Sequence, residues 1–462
     1  MKKSISLIIT LLICLNANTQ NINKCMTTQL VSEEIRSNES YAEARNFEHV
    51  RKITNIWKNK KKELSTITIP VVVHVVHKNT HANPGTASNI SVAQIEDQIR
   101  ILNEDFSKTN PEFPSPPRAT FNSIAGNADI KFCLAATDPN GNTTNGITRT
   151  STTKSSFDYA TESNDMKLNS TGGKDGWDPS RYLNIWVCNL SGGGVLGYAY
   201  LPGLLAFGSN QQWKDGLVVD FQYFGTTTGT TGDGRTATHE IGHYLGLNHT
   251  FSEQSSGWGS DPCTDSQGNI QCCDNDIANV DDTPAALYIS SWGTDGPYFG
   301  PVTGSTNNNT CNDINFQNAF NTNVIDMDEN YMSYAANTWM FTNGQVDAMH
   351  AVLNTPDWQG GRSNLKNSNV SVNCGNVSTN SELEIDNFNV FPNPSNGNIT
   401  IRNNSDSRIQ KINLINMLGD KILSKRIDNS YYTLQIDQFT SGIYFLEIIT
   451  ENGKKTRKII LE

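Results

Sequence analysis

The stretch Thr236 to Phe251, TATHEIGHYLGLNHTF, constrains this chain more than any other. His239 and His243 are four residues apart, so on a helix they project from one face, one turn apart, where two imidazoles can grip a single metal ion. Gly246 reaches a positive φ at little cost, which lets the helix stop there and the chain swing His249 round as a third ligand. Three neutral imidazoles on a tetrahedral zinc ion leave one position for water, the catalytic form of such a site. Glu240 stands beside them, placed to take that water's proton as it attacks a carbonyl. The chemistry implied is peptide-bond hydrolysis. A purely structural metal site would not need Glu240, which weighs against the rival reading, a surface adhesin that binds through another part of the chain.

The extended string resembles that of the metzincin clan of zinc peptidases. The resemblance implies a methionine turn downstream, and Asn-Tyr-Met-Ser-Tyr at 330–334 fits it. Met332 would then lie beneath the metal as an apolar floor. Tyr334 would point its phenol toward the metal and stabilise the oxyanion.

A chain of 462 residues suggests two or three units plus processing segments. A net charge of -11 excludes nucleic acid as a partner, because no basic field would collect phosphates. Residues 1–19 read as a signal peptide: Lys2 and Lys3, an apolar run from Ile5 to Leu15, then Ala17-Asn18-Thr19 as a cleavage site. That run is too short to cross a bilayer, and no later segment is apolar enough. Export permits disulfides among the nine cysteines. Two crosslinks are expected within the polar insert holding Cys263, Cys272, Cys273 and Cys311, whereas Cys133 and Cys188 either pair or stay as buried thiols.

Residues 20–63 read as a propeptide, helical around Glu33–Lys58 and ending in the basic run Lys58-Asn-Lys-Lys-Lys62. Its Cys25 is a candidate switch, since a thiolate in the open zinc position would displace the water and silence the site. Ile69–His77 is a buried strand by its β-branched run, and on a strand His74 and His77 face opposite sides, one packed and one solvated, rather than sharing a metal. Ser91 caps a helix to Phe106. Strands follow at 128–135, 182–188 and 216–224. An edge strand at 196–200 makes Gly197–Leu201 the candidate wall against which an extended substrate aligns. A helix over 343–353 closes the domain. Between them, Asp274, Asp276, Asp281, Asp282 and Thr283 cluster on a loop, where carboxylates and carbonyls suit calcium.

LNEDF at 102–106, YLNIWVCNL at 182–190, the zinc string with Thr250-Phe251, DTP at 282–284, and NYMSY followed by FTNGQ together resemble the pappalysin family of metzincins over about residues 66–355. That family commonly has acidic residues and a cysteine after the methionine turn, whereas this chain has Ala335-Ala-Asn-Thr-Trp-Met340. The departure implies an apolar rather than basic preference on the primed side, with Met340 in the specificity pocket. The family's acid two residues before Val280 is also missing.

Residues 356–384 are rich in Asn, Ser and Gly and read as a linker. From 385 to 462, Phe391-Pro-Asn-Pro-Ser-Asn-Gly397, Met417-Leu-Gly-Asp420, Ser441-Gly-Ile-Tyr444 and a basic tail punctuate short alternating strands. This unit resembles the C-terminal sorting domain of the type IX secretion system, which implies that machinery as a partner and export to the cell surface or beyond. The expected class is therefore α+β: a metzincin-like catalytic domain over 64–355, with a mixed twisted sheet, long helices and an irregular lower subdomain, plus a small C-terminal β-sandwich. The expected cofactors are zinc and, at the acidic loop, calcium. The expected substrates are proteins or peptides.

Overall fold

The computed structural model describes residues 24–27, 30, 31, 34, 53–55, 57, 66–205, 207–227, 229–251, 280–286, 299–315, 320–374, 388–403, 408–416, 421–450 and 453–462. The expected signal peptide, most of the helical stretch expected over 33–58, Cys263, Cys272, Cys273, Asp274 and Asp276 lie outside them. The chain divides into two units between Cys374 and Gly375.

In the first unit, strands β1 (Ile67–Lys78), β2 (Ile130–Ala135), β3 (Ile147–Thr152), β5 (Leu183–Cys188), β7 (Gly197–Ala199), β8 (Leu217–Asp220) and β9 (Val372–Asn373) form one sheet. A small ladder of β4 (Phe157–Asp158) and β6 (Leu190–Ser191) stands apart from it. The path is β7-β8-β5-β1-β2-β9, with β3 paired to the outer half of β1. All pairings are parallel except those of the edge strands β7 and β9. The near-continuous burial of β1 explains its apolar run, since a parallel sheet is covered on both faces. Val71, Val73 and Val75 face the main core. Val76 faces a second cluster with Trp186, Tyr198 and Val218. Both histidines of β1 are buried, so the expectation that one is solvated fails; His74 bonds Thr148 and Asn184, and His77 bonds the carbonyl of Lys78.

Helices α1 (Val92–Phe106), α2 (Arg235–Tyr244), α3 (Asn343–Asn354) and the short α4 (Ser363–Lys366) pack on this sheet or beside it. Ser91 caps α1 by accepting from the backbone of Gln94, and Thr342 with Gln345 forms a reciprocal capping box on α3. Ile95, Leu102 and Phe106 of α1 and Ile241 of α2 enter the same core. Gln94 and Gln98 of α1, both buried, bond backbone groups of Phe221, Phe224, Gly225 and Gly234. These bonds fix the loop that feeds α2, because buried amides left unpaired would be costly.

Residues 356–374 are part of this unit, not a linker. Arg362 pairs with Asp215 and bonds the carbonyls of Tyr200 and Tyr244; β9 joins the sheet; and Cys374 is disulfide-bonded to Cys133. Cys188 is a free buried thiol, and Cys311 is in a disulfide.

The second unit has two antiparallel sheets, β10-β11-β14 and β13-β12-β15-β16, made from β10 (Phe388–Phe391), β11 (Asn398–Asn403), β12 (Ile409–Ile415), β13 (Lys421–Asn429), β14 (Tyr431–Gln435), β15 (Gly442–Thr450) and β16 (Gly453–Leu461). Ile399, Ile401, Ile412, Leu414, Leu446, Ile448 and Ile459 fill one core between them, the pattern of a small sandwich. The basic tail is itself a strand, β16, with Lys458 exposed and Ile459 and Leu461 buried in the sandwich core.

Candidate active site

Helix α2 presents His239 and His243 one turn apart and ends at Tyr244; two residues on, Gly246 has φ +93°. That left-handed turn lets the amide of Leu247 reach back to the carbonyl of Gly242, and brings His249 across from the helix. The Nε2 atoms of His239, His243 and His249 converge at separations of 3.1, 3.1 and 3.2 Å. Nδ1 of His239 donates to the carbonyl of Tyr331 and Nδ1 of His243 to that of Leu247, each at 2.7 Å. With Nδ1 protonated on both rings, both Nε2 atoms are left as lone pairs facing each other, an arrangement that a cation must offset. Burial also holds both imidazoles well below the usual histidine range, so they are neutral. A tetrahedral ion about 2.0–2.1 Å from each nitrogen sets the nitrogens about 3.3 Å apart, so the triangle fits zinc.

Below the ligands, Met332 is fully buried, its sulfur so close to Gly242 that a Cβ built there would lie 2.3 Å away. The amide of Thr250 bonds the carbonyl of Met332, tying the third histidine's segment to the same turn. The Tyr334 ring stands 5.0 Å from that of His249 and 5.9 Å from that of His239.

Glu240 is fully buried. Burial raises its carboxyl to about 8, against the opposing hydrogen bonds of Cys25 and Thr27. Oε2 accepts from Thr27 Oγ1 at 3.1 Å and from Cys25 Sγ at 3.5 Å, while Oε1 has no partner among the described residues. An orphaned buried acceptor beside converging imidazoles is where a water fits. Cys25 Sγ joins the histidine nitrogens in one cluster whose atoms all lie within 4.8 Å of one another.

Residues 24–27 enter along β7, with Cys25 bridged in parallel to Gly197. The amide of Leu196 donates to the carbonyl of Lys24 at 3.0 Å, that of Met26 to Gly197 at 3.2 Å, and that of Ala199 to Thr27 Oγ1 at 2.9 Å. The expected wall Gly197–Leu201 is thus an open strand edge, here taken by this segment. The Lys24 ammonium donates to the carbonyls of Tyr334 and Ala335 at 2.7 and 3.4 Å. Glu34 pairs with Lys214 at 2.5 Å, and Ile53 and Trp57 pack on Ala351 and Val352 of α3. Sequence reasoning missed Thr27 and Lys24. The signal available was their spacing around Cys25: in an extended chain Thr27 faces the same side as Cys25, and Lys24 the opposite side.

Met340 is buried with Phe121, Ala125, Val302, Met327, Ala335 and Trp339, and its carbonyl accepts from the amide of Tyr331. At the acidic loop, both oxygens of Asp282 are engaged, by Thr342 Oγ1 and the amide of Gly344, which ties this carboxylate to the start of α3. Asp281 is exposed, and Thr283 is buried and bonds the carbonyl of Val280.

A mixed sheet with an open edge strand, a helix bearing two of three converging imidazoles and a methionine turn beneath them define a metallopeptidase of the metzincin type. Residues 167–354 match the family described as pregnancy-associated plasma protein-A, and residues 389–462 match the secretion system C-terminal sorting domain. A solved structure of a Tannerella forsythia promirolysin mutant is 35% identical, with TM-score 0.53, over 74% of this chain and 97% of that one. An extracellular metalloprotease of Arthroderma gypseum is 25% identical over 288 residues, 62% of this chain and 72% of the relative. One of Pyricularia oryzae is 27% identical over 227 residues, 49% of this chain and 60% of the relative. The chain belongs to the pregnancy-associated plasma protein-A, or pappalysin, family of zinc endopeptidases, and carries a type IX sorting domain that marks it as secreted or cell-surface. No helix among the described residues is long and apolar enough to cross a membrane.

Proposed function

We propose that this is a proteinase made as a zymogen, exported through the periplasm and active on protein substrates, with His239, His243 and His249 as zinc ligands and Glu240 as the general base. The observation that carries the reading is the meeting of three imidazole nitrogens beside the orphaned Oε1 of Glu240. Zinc, when bound there, supplies Lewis acidity, which activates water and polarises the scissile carbonyl. Glu240 takes the proton of the attacking water as the carbon–oxygen bond forms, then delivers it to the amine nitrogen as the carbon–nitrogen bond breaks. Tyr334 donates its hydroxyl to the oxyanion; in the present state that hydroxyl donates to the main-chain carbonyl of Cys25 at 3.4 Å, a fair stand-in for a substrate carbonyl. Met332 supports the ligands from below.

Latency follows from residues 24–27. Cys25 Sγ sits within reach of the metal position, and Cys25 and Thr27 both bond Oε2 of Glu240, so one segment covers the water's position and holds the base. The segment runs parallel to β7. On the primed side, Ala335 and Met340 border an apolar cluster with no acidic side chain among residues 335–340, which supports an apolar preference. A long cation would end, as Lys24 does, on carbonyls, which discriminate less than a carboxylate.

The test is cleavage of casein and of a broad peptide library by the matured protein, with and without chelator. Chelation is expected to abolish cleavage and zinc to restore it. Cleavage that survives chelation, or a library profile dominated by bonds before Lys or Arg, would overturn the mechanism or the specificity respectively.

A further inference from the structure

Asp105 belongs to α1, a helix that contributes none of the converging side chains, yet it is bonded to residues on either side of them. It is 3% exposed. Its Oδ2 accepts from Thr238 Oγ1 at 2.7 Å, and its Oδ1 from the Tyr331 hydroxyl at 2.7 Å. Thr238 immediately precedes His239 on α2. Tyr331 immediately precedes Met332, and its own carbonyl receives Nδ1–H of His239 at 2.7 Å. Arg235 stands 3.5 Å from the same carboxylate and is itself clamped by Glu112 through both terminal nitrogens.

We propose that Asp105 is a positioning residue of the metal centre: it fixes the phenol of Tyr331, and with it the carbonyl that sets the tautomer and ring plane of His239, while holding the turn of α2 that carries that histidine. The inference rests on His239 being a zinc ligand. The ring of a metal-bound histidine is oriented by whatever accepts its other N–H, and loosening that acceptor weakens metal binding. Here the acceptor is main chain, which side-chain chemistry reaches only through the residue that bears it. A carboxylate suits the junction because both donors, Thr238 and Tyr331, need an acceptor at the same point. An asparagine satisfies one of them and presents an NH₂ to the other.

The experiment uses the full chain, stripped of metal and reloaded, comparing wild type with Asp105→Asn, Tyr331→Phe and the double variant. Zinc affinity is read by competition with a chromophoric chelator, and ligand geometry by the ligand-field spectrum of the cobalt(II) form. Each single change is expected to weaken zinc binding about 10–100-fold and to shift the cobalt bands. The double variant should bind no more weakly than Asp105→Asn alone, because the Tyr331 hydroxyl acts through Asp105. The proposal is overturned if folded variants bind zinc like wild type and differ only in melting temperature, or if the two losses multiply. Should Asp105→Asn not fold, unaltered affinity in Tyr331→Phe, which lacks a single hydroxyl, overturns it as well. Failure of the wild type itself to take up zinc would strike the reading of the site, a distinguishable result.

Discussion

Two small groups decide how the site behaves, the Oε1 of Glu240 and the hydroxyl of Thr27. Replacing Glu240 by alanine removes the base and is expected to cut kcat by ~10²–10⁴-fold while zinc content stays at wild-type level, as read by peptide hydrolysis and metal analysis. Thr27→Ala removes the shorter of the two hydrogen bonds to Oε2 and leaves the thiol of Cys25 in place. The variant zymogen should stay silent but mature faster than wild type, whereas Cys25→Ala should show activity before any cleavage; gel-resolved maturation paired with a peptide assay separates the two. Gly242 faces the sulfur of Met332 too closely for a Cβ. Gly242→Ala should therefore cost about 1–3 kcal/mol by overpacking, seen as a lower melting temperature, and displace the floor beneath the ligands. At this scale the sequence was most readable. The i, i+4 histidines, the glycine and the third histidine form a local pattern: helix geometry pairs His239 with His243, and the turn at Gly246 brings in His249. Thr27 escaped because its partners, Glu240 and Ala199, are distant in sequence.

Among the elements, the edge strand β7 does the most for function, and it rests on an unusual support. Lys167 is fully buried with its ammonium 4.4 Å from the ring of Tyr200 and 5.1 Å from that of Trp186, donating to the carbonyl of Lys214. Burial is the main cause that lowers its pKa to about 7, with Lys214 adding to it and Asp215 and Glu34 opposing. An amine whose folded pKa lies below its unfolded value binds fewer protons in the folded state. Stability therefore rises with pH between about 7 and the ordinary lysine value of 10.5. Lys167→Met removes that dependence, so the melting temperature of wild type relative to the variant should climb from pH 7 to pH 10, and a flat difference would contradict the burial. Glu34, paired with Lys214 and bonded by the Tyr200 hydroxyl, offers a second handle: if residues 20–63 are a propeptide as proposed, Glu34→Gln should speed maturation by weakening one of its anchors. The strands β1, β2, β5 and β7 and the helices α1 and α3 were legible to within a few residues because their apolar periodicities are local, whereas β3, whose polar run Ile147–Thr152 is ordered by pairing with β1, and β16 were not. Residues 356–374 were not, since an Asn-, Ser- and Gly-rich composition reads as a linker. Their order comes from Arg362 on Asp215 and Cys374 on Cys133, contacts that no local pattern announces.

For the whole molecule, the two units serve separate ends. The sandwich has its own core of isoleucines and leucines and shares no proposed catalytic group. Removal of residues 389–462 should leave the specific activity of matured enzyme unchanged while abolishing its appearance outside the cell, measured by fractionation of the producing cells; lost activity in the purified truncated protein would contradict this division. On the proposed reading the first unit holds a site that is assembled and blocked at once, since the segment that brings Cys25 to the three histidines also lies along the edge strand β7. The most direct measurement of that account is anomalous diffraction at the zinc edge from crystals of the full-length zymogen. A single peak is predicted about 2.0–2.1 Å from Nε2 of His239, His243 and His249 and about 2.3 Å from Sγ of Cys25. No peak at that position, or imidazoles turned away from one another, would contradict it.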